Sequence, residues 1–131
     1  MLANLIYTNI LSTIRKFTDG ADVDTNMQPV IGILTQAVSE DLKKADPKFN
    51  DYSSYMMADY VQFIEGSGAR VIPIIDTETD ADTLAKLGKI NGVLFPGGAG
   101  DDQYEAKARF VYEKAIEKND SGEFFPLWGI C

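Results

Sequence analysis

The stretch Val30-Ile31-Gly32-Ile33-Leu34-Thr35 is the part of this chain that decides the fold. Its residues are mostly β-branched or apolar, and they lack the alternation of apolar and polar positions that marks a strand with one face in water. Such a run is typical of a strand buried on both faces, as in a sheet covered by helices. We therefore predict that it forms the first strand of a parallel sheet.

Three further strand-like runs follow, separated by segments with helical spacing or capping residues. The predicted strands lie at 70–75, 92–95 and 124–131, and the predicted helices at 52–64, 77–87 and 102–118. Strands that alternate with helices predict an α/β fold with a doubly wound parallel sheet and right-handed crossovers. Pro73 lacks an amide hydrogen, which favours either an edge position for its strand or a bulge at this residue.

Length and composition predict one globular unit or part of one. The 131 residues are 45% hydrophobic and carry a net charge of −8 without any run of basic residues. Nucleic acids and anionic membranes are therefore excluded as partners, and a homo-oligomer remains open. We expect residues 1–27 to be an extension or a weak leader and residues 28–131 to form the domain. A convincing signal peptide is absent, because the basic residues follow the apolar part.

The run Phe124-Phe125-Pro126-Leu127-Trp128-Gly129-Ile130-Cys131 ends in Gly-x-Cys, which is how a nucleophile elbow begins. In an elbow the nucleophile sits exposed at the end of a strand, near the positive end of a helix dipole that favours the thiolate. The alternative is an inert buried thiol. The 131 residues contain no histidine, so in any cysteine–histidine mechanism the histidine that acts as base must come from outside these residues.

Gly97 and Gly98 directly follow the predicted strand at 92–95. Glycine amides at this place can turn toward a neighbouring site and hold a developing oxyanion, and Gly98 is the candidate donor. An ordinary βα turn is the alternative interpretation. Neither a dinucleotide-binding motif nor a phosphate-binding loop occurs at this position.

Four blocks at 29–34, 60–73, 90–98 and 124–131 resemble γ-glutamyl hydrolase, a family within the glutamine amidotransferase-like, flavodoxin-like folds. The resemblance implies a cysteine hydrolase that cleaves γ-linked glutamate from folate polyglutamates through a γ-glutamyl thioester. By position it makes Cys131 the nucleophile, Gly98 the oxyanion amide and Gly97 its neighbour in the oxyanion turn. It implies a small-molecule substrate, no metal or organic cofactor, and a secreted, lysosomal or vacuolar location. Tyr55, on the predicted first helix, is a further candidate for substrate binding, with ordinary helix packing as the alternative.

The family's catalytic histidine lies downstream of the elbow, where this sequence has no residues. We therefore expect this chain to be the N-terminal half of the domain, which ends after the fourth predicted strand. We also expect this half to be inactive on its own. Two other functions remain open. One is a glutaminase domain that uses the same cysteine and turn. The other is a non-catalytic scaffold subunit.

Overall fold

The computed structural model describes residues 26–98 and 100–131, so most of the predicted extension at 1–27 lies outside the described residues. The elements in chain order are β1 (Val30–Leu34), β2 (Gln36–Ala37), α1 (Glu40–Ala45), a 3-10 helix (Pro47–Asp51), β3 (Ser54–Tyr55), α2 (Ala58–Gly66), β4 (Arg70–Ile74), α3 (Asp80–Leu87), β5 (Gly92–Phe95), α4 (Asp102–Asp120) and β6 (Leu127–Gly129).

The main sheet has four parallel strands in the order β4-β1-β5-β6. This confirms the predicted α/β fold with a parallel sheet and flanking helices. Pro73 lies on β4, at the edge of the sheet, as its missing amide hydrogen predicts. β2 and β3 pair separately as a short antiparallel ribbon.

Successive residues of the central strands point to opposite faces of the sheet, where helices cover them. Leu34 and Val93 lie in a cluster with residues of α3 and α4, whereas Ile33 and Leu94 pack with residues of α2. Because each central strand contributes to both clusters, its sequence is apolar throughout. The unbroken apolar run at 30–34 thus follows from burial on two sides.

The order of the strands creates a switch point between β1 and β5. The chain leaves β1 toward β4 on one side, and it leaves β5 toward β6 on the other. In open α/β sheets, ligands bind at the carboxyl ends of the strands next to such a point. The segments after β1 and β5 are therefore the first places to look for a site.

The helix predicted over 52–64 is wrong at its start. α2 begins only at Ala58, because residues 54–55 form β3, which pairs with β2. Tyr52 has an extended backbone, with φ −120° and ψ 139°. The helix predicted over 77–87, which is α3, also begins later than predicted, at Asp80. Thr79 caps it by accepting a hydrogen bond from the Asp82 amide.

Trp128, on β6, is half exposed and meets the ring of Phe63 edge to face, with the ring centroids 5.1 Å apart. Phe63 belongs to α2, so this aromatic pair connects that helix to the last strand. Within the described ranges, no helix combines the length and the apolar character needed to cross a bilayer.

A buried polar pair joins the ends of β1 and β4. Thr35 and Asp76 follow these strands and are 3% and 2% exposed. The Thr35 hydroxyl donates to Asp76 Oδ1 at 2.9 Å and accepts from the Asp76 amide at 3.0 Å. Since an unpaired buried carboxylate is costly, this reciprocal pairing is what allows Asp76 to lie inside.

We predict that Thr35→Val lowers the free energy of unfolding by about 1–3 kcal/mol, because valine keeps the shape but leaves Asp76 without its partner. Chemical denaturation followed by circular dichroism measures the change. The control is Thr77→Val, the same substitution at an exposed position next to Asp76. Equal denaturation midpoints for the two variants would contradict the importance of the pair.

Candidate functional site

The pairing of β5 with β6 brings Gly97 beside Cys131. Phe95 lies opposite Gly129 in the register, and the Ile130 amide donates to the Phe95 carbonyl at 3.0 Å. A Cβ atom built on Gly97 would lie 3.1 Å from Cys131 Cβ and 3.1 Å from the Ile130 carbonyl oxygen. Only a residue without a side chain fits there comfortably, so the turn after β5 is closely packed against the cysteine.

Cys131 is exposed and has a φ of 71°. The residue lines a surface groove of about 450 Å³ together with Phe95, Pro96, Tyr104, Ala108, Arg109, Tyr112, Gly129 and Ile130. Cys131 follows β6 by two positions, and its role as a nucleophile stays a prediction.

Gly98 has a φ of 146°, which side chains rarely tolerate. A Cβ atom at this position would lie 2.6 Å from Nε2 of Gln36. Gln36, the second residue after β1, is only 6% exposed and packs directly on the glycine. The Gly97–Gly98 turn therefore has Cys131 on one side and Gln36 on the other.

Gln36 also connects this turn to Tyr55. Its Nε2 donates to the Gly97 carbonyl oxygen at 3.4 Å, and its Oε1 accepts from the Tyr55 hydroxyl at 3.3 Å. The prediction that Tyr55 lies on a helix is wrong, because Tyr55 belongs to β3 and faces Gln36 across the ribbon. Its role in substrate binding stays a prediction.

Tyr104, in the first turn of α4, closes the groove next to Cys131. Its hydroxyl donates to the Pro96 carbonyl oxygen at 3.3 Å. Burial raises the pKa of Tyr104, and the nearby Tyr60 acts in the same direction. The hydroxyl therefore stays protonated at neutral pH and keeps its bond to the segment that leads into the glycine turn.

Cys131, Gly97 and Gly98, the site residues predicted from the sequence, lie together. Gln36 and Asp76 were not predicted from the sequence; they lie just after β1 and β4, and both are buried. One signal could have found them, since a polar residue two positions after a mostly apolar strand sits at the edge where α/β proteins bind ligands. Among the described residues, no group of three or more histidine, cysteine, aspartate or glutamate side chains could hold a metal ion.

The family model for peptidase C26 matches residues 29–131, which is the whole of the main sheet with its helices. This chain belongs to the peptidase C26 family. The match begins just before β1 and includes both the glycine turn and Cys131. The matched range thus includes every site residue predicted from the sequence, Tyr55 among them.

Curated relatives of this peptidase C26 chain include γ-glutamyl hydrolases from distant organisms. Gamma-glutamyl hydrolase 1 of Arabidopsis thaliana is 43% identical over 112 residues, covering 84% of this chain and 31% of the relative. The Homo sapiens gamma-glutamyl hydrolase is 40% identical over 113 residues, covering 82% and 33%. Gamma-glutamyl hydrolase B of Dictyostelium discoideum is 38% identical over 110 residues, covering 81% and 30%. The chain spans about a third of the length of the relatives it matches.

We predict that Gly98→Ala destabilises the protein by about 1–3 kcal/mol, because alanine at this φ is strained and its Cβ would collide with Gln36. Thermal or chemical denaturation measures the loss. Gly66→Ala is the matched control, since Gly66 lies in α2 with no atom within 4 Å of its added Cβ. If both variants kept the stability of the parent protein, the turn would not need its glycine.

Proposed function

We propose that this chain carries the nucleophile of a γ-glutamyl hydrolase, with Cys131 as the attacking thiolate and the Gly98 amide as an oxyanion donor. One observation carries the proposal: the Gly97–Gly98 turn packs against Cys131 at the carboxyl end of the sheet. Acyl transfer by a thiol needs a nucleophile and amide donors within reach of the same carbonyl group. Membership of the peptidase C26 family and about 40% identity to curated γ-glutamyl hydrolases support the same chemistry.

In the proposed reaction the Cys131 thiolate attacks the carbonyl carbon of a γ-linked amide. A carbon–sulfur bond forms, and the carbonyl electrons move onto the oxygen, where the Gly98 amide stabilises the negative charge. The tetrahedral intermediate then expels the amine of the departing glutamate or polyglutamate, which takes a proton from a histidine. A γ-glutamyl thioester remains, and water activated by the same histidine hydrolyses it and restores the thiol.

The proposed substrate is a folate that carries a poly-γ-glutamate tail. The names of the relatives support the γ-glutamyl bond as the target, and the folate part follows from the family resemblance of the four sequence blocks. Gly97 has no direct contact with the substrate in this scheme. Its role is to let the oxyanion turn pack against the cysteine. A secreted, lysosomal or vacuolar location belongs to the same proposal. No metal or organic cofactor takes part in it.

We predict that Cys131→Ala abolishes the release of glutamate from pteroyl polyglutamates, because the carbon–sulfur bond can no longer form. The loss should be at least about 1,000-fold, as for other catalytic nucleophiles. Chromatography of the released glutamate measures it, and mass spectrometry of the acid-quenched wild-type protein should find a γ-glutamyl adduct on Cys131. Cys131 is the only cysteine in the 131 residues, so digestion and mapping should find the adduct on the peptide that contains Cys131.

Two results would argue against the hydrolase. Ammonia release from free glutamine, with folyl polyglutamates left intact, would replace it with a glutaminase that uses the same thiol. Unchanged glutamate release in a folded Cys131→Ala variant would remove Cys131 from the mechanism. Far-ultraviolet circular dichroism of the variant verifies that it is folded.

A polypeptide of residues 1–131 alone should show no turnover of pteroyl polyglutamate, because it contains no histidine to move protons. We propose that the histidine comes from outside these residues, in the same polypeptide or in a partner. The measurement compares glutamate release by this polypeptide and by the protein from its native source at equal concentration. Equal rates would show that the reaction needs no histidine.

A further inference from the structure

Gln36 is a buried polar residue that the proposed mechanism leaves without a role. Burying an amide side chain costs free energy unless its polar atoms are paired. Both ends of this side chain are paired, to the Gly97 carbonyl oxygen and to the Tyr55 hydroxyl. The residue follows β1, and the glycine turn follows β5, so the contact bridges the switch point of the sheet.

The partners determine which way the amide of Gln36 points. A carbonyl oxygen can only accept, so the Gln36 NH₂ group must face Gly97 O. The Gln36 oxygen then faces Tyr55, whose hydroxyl can donate to it. In this way Tyr55 helps to keep the donor side of Gln36 directed at the turn.

Because the peptide bond is planar, the direction of the Gly97 C=O also fixes the direction of the Gly98 N–H. The Gly97 C=O and the Gly98 N–H belong to one trans peptide group, so they point in opposite directions. When Gln36 holds the oxygen, the Gly98 N–H must point away from Gln36. Within residues 26–98 and 100–131, no atom accepts a hydrogen bond from the Gly98 N–H.

We propose that Gln36 is a positioning residue that sets the direction of the Gly98 N–H for the oxyanion. The inference rests on the proposed hydrolase function, because only an acyl-transfer reaction needs that donor. A hydrogen bond to the Gly97 oxygen also polarises the peptide group and strengthens its N–H as a donor. The missing side chain at Gly98 is part of the same arrangement, since a Cβ atom would displace Gln36.

The test is Gln36→Glu in the protein made from its native gene. Glutamate keeps the size of the side chain, but it places a carboxylate oxygen against the Gly97 oxygen and so repels it. We expect kcat for pteroyl polyglutamate to fall roughly 10- to 100-fold, less than or similar to the loss of a direct oxyanion donor, with KM changed little. Gln62→Glu is the matched control, because Gln62 is exposed on α2.

A second readout separates positioning from a general loss of structure. Iodoacetamide alkylates a thiolate by displacing iodide, and no oxyanion forms in that reaction. The rate of Cys131 alkylation should therefore stay within about twofold of the wild type in Gln36→Met, which removes the donor without placing a charge near the thiolate. Gln36→Met should also lower kcat, and it takes the place of Gln36→Glu if that variant fails to fold.

The amide resonance of Gly98 in a ¹⁵N-labelled sample gives a third readout that needs no activity. It should shift in Gln36→Glu and stay in place in Gln62→Glu. An unmoved Gly98 resonance, an unchanged kcat, or a fall in alkylation in Gln36→Met that parallels its fall in kcat would each overturn the inference. If the wild-type protein releases no glutamate, the proposed function fails instead, and the Gly98 resonance alone decides whether Gln36 orients this peptide group.

Discussion

The parallel register of β1, β5 and β6 is the constraint on which the candidate site depends. β5 pairs with β1 on one side and with β6 on the other, so the segments that leave these strands emerge side by side. This brings residues 36, 97 and 131 together although 95 positions separate the first from the last. A slip of the β5–β6 pairing would separate the glycine turn from Cys131 and change the faces that the side chains of the strand occupy.

Much of this arrangement could be predicted from the sequence, because its causes are local. An apolar run such as 30–34 needs cover on both faces, and alternation with helices makes the strands parallel. The missing amide hydrogen of Pro73 leaves an edge as the natural position for its strand. Once the strands are parallel, Gly97 and Cys131 must share one edge of the sheet, as the structure confirms.

The features that the sequence does not predict depend on contacts between residues that are distant along the chain. Tyr55 and Met56 fit a helical spacing as well as they fit the strand and loop that they form, and the pairing with Gln36 and Ala37 decides between these states. The burial of Gln36 follows from the same pairing and from the turn after β5. Propensity and periodicity within a short window contain no information about such partners, so tertiary pairing overrides them.

The pair formed by Trp128 and Phe63 has a practical consequence for anyone who studies this protein in solution. Trp128 is the only tryptophan in the 131 residues, it lies three positions before Cys131, and it is half exposed beside the ring on α2. Indole fluorescence responds to the polarity around the ring and to the groups near it. The tryptophan emission of these 131 residues therefore reports on the surroundings of β6 alone, and a ligand or partner that covers the end of this strand should change it without any added label.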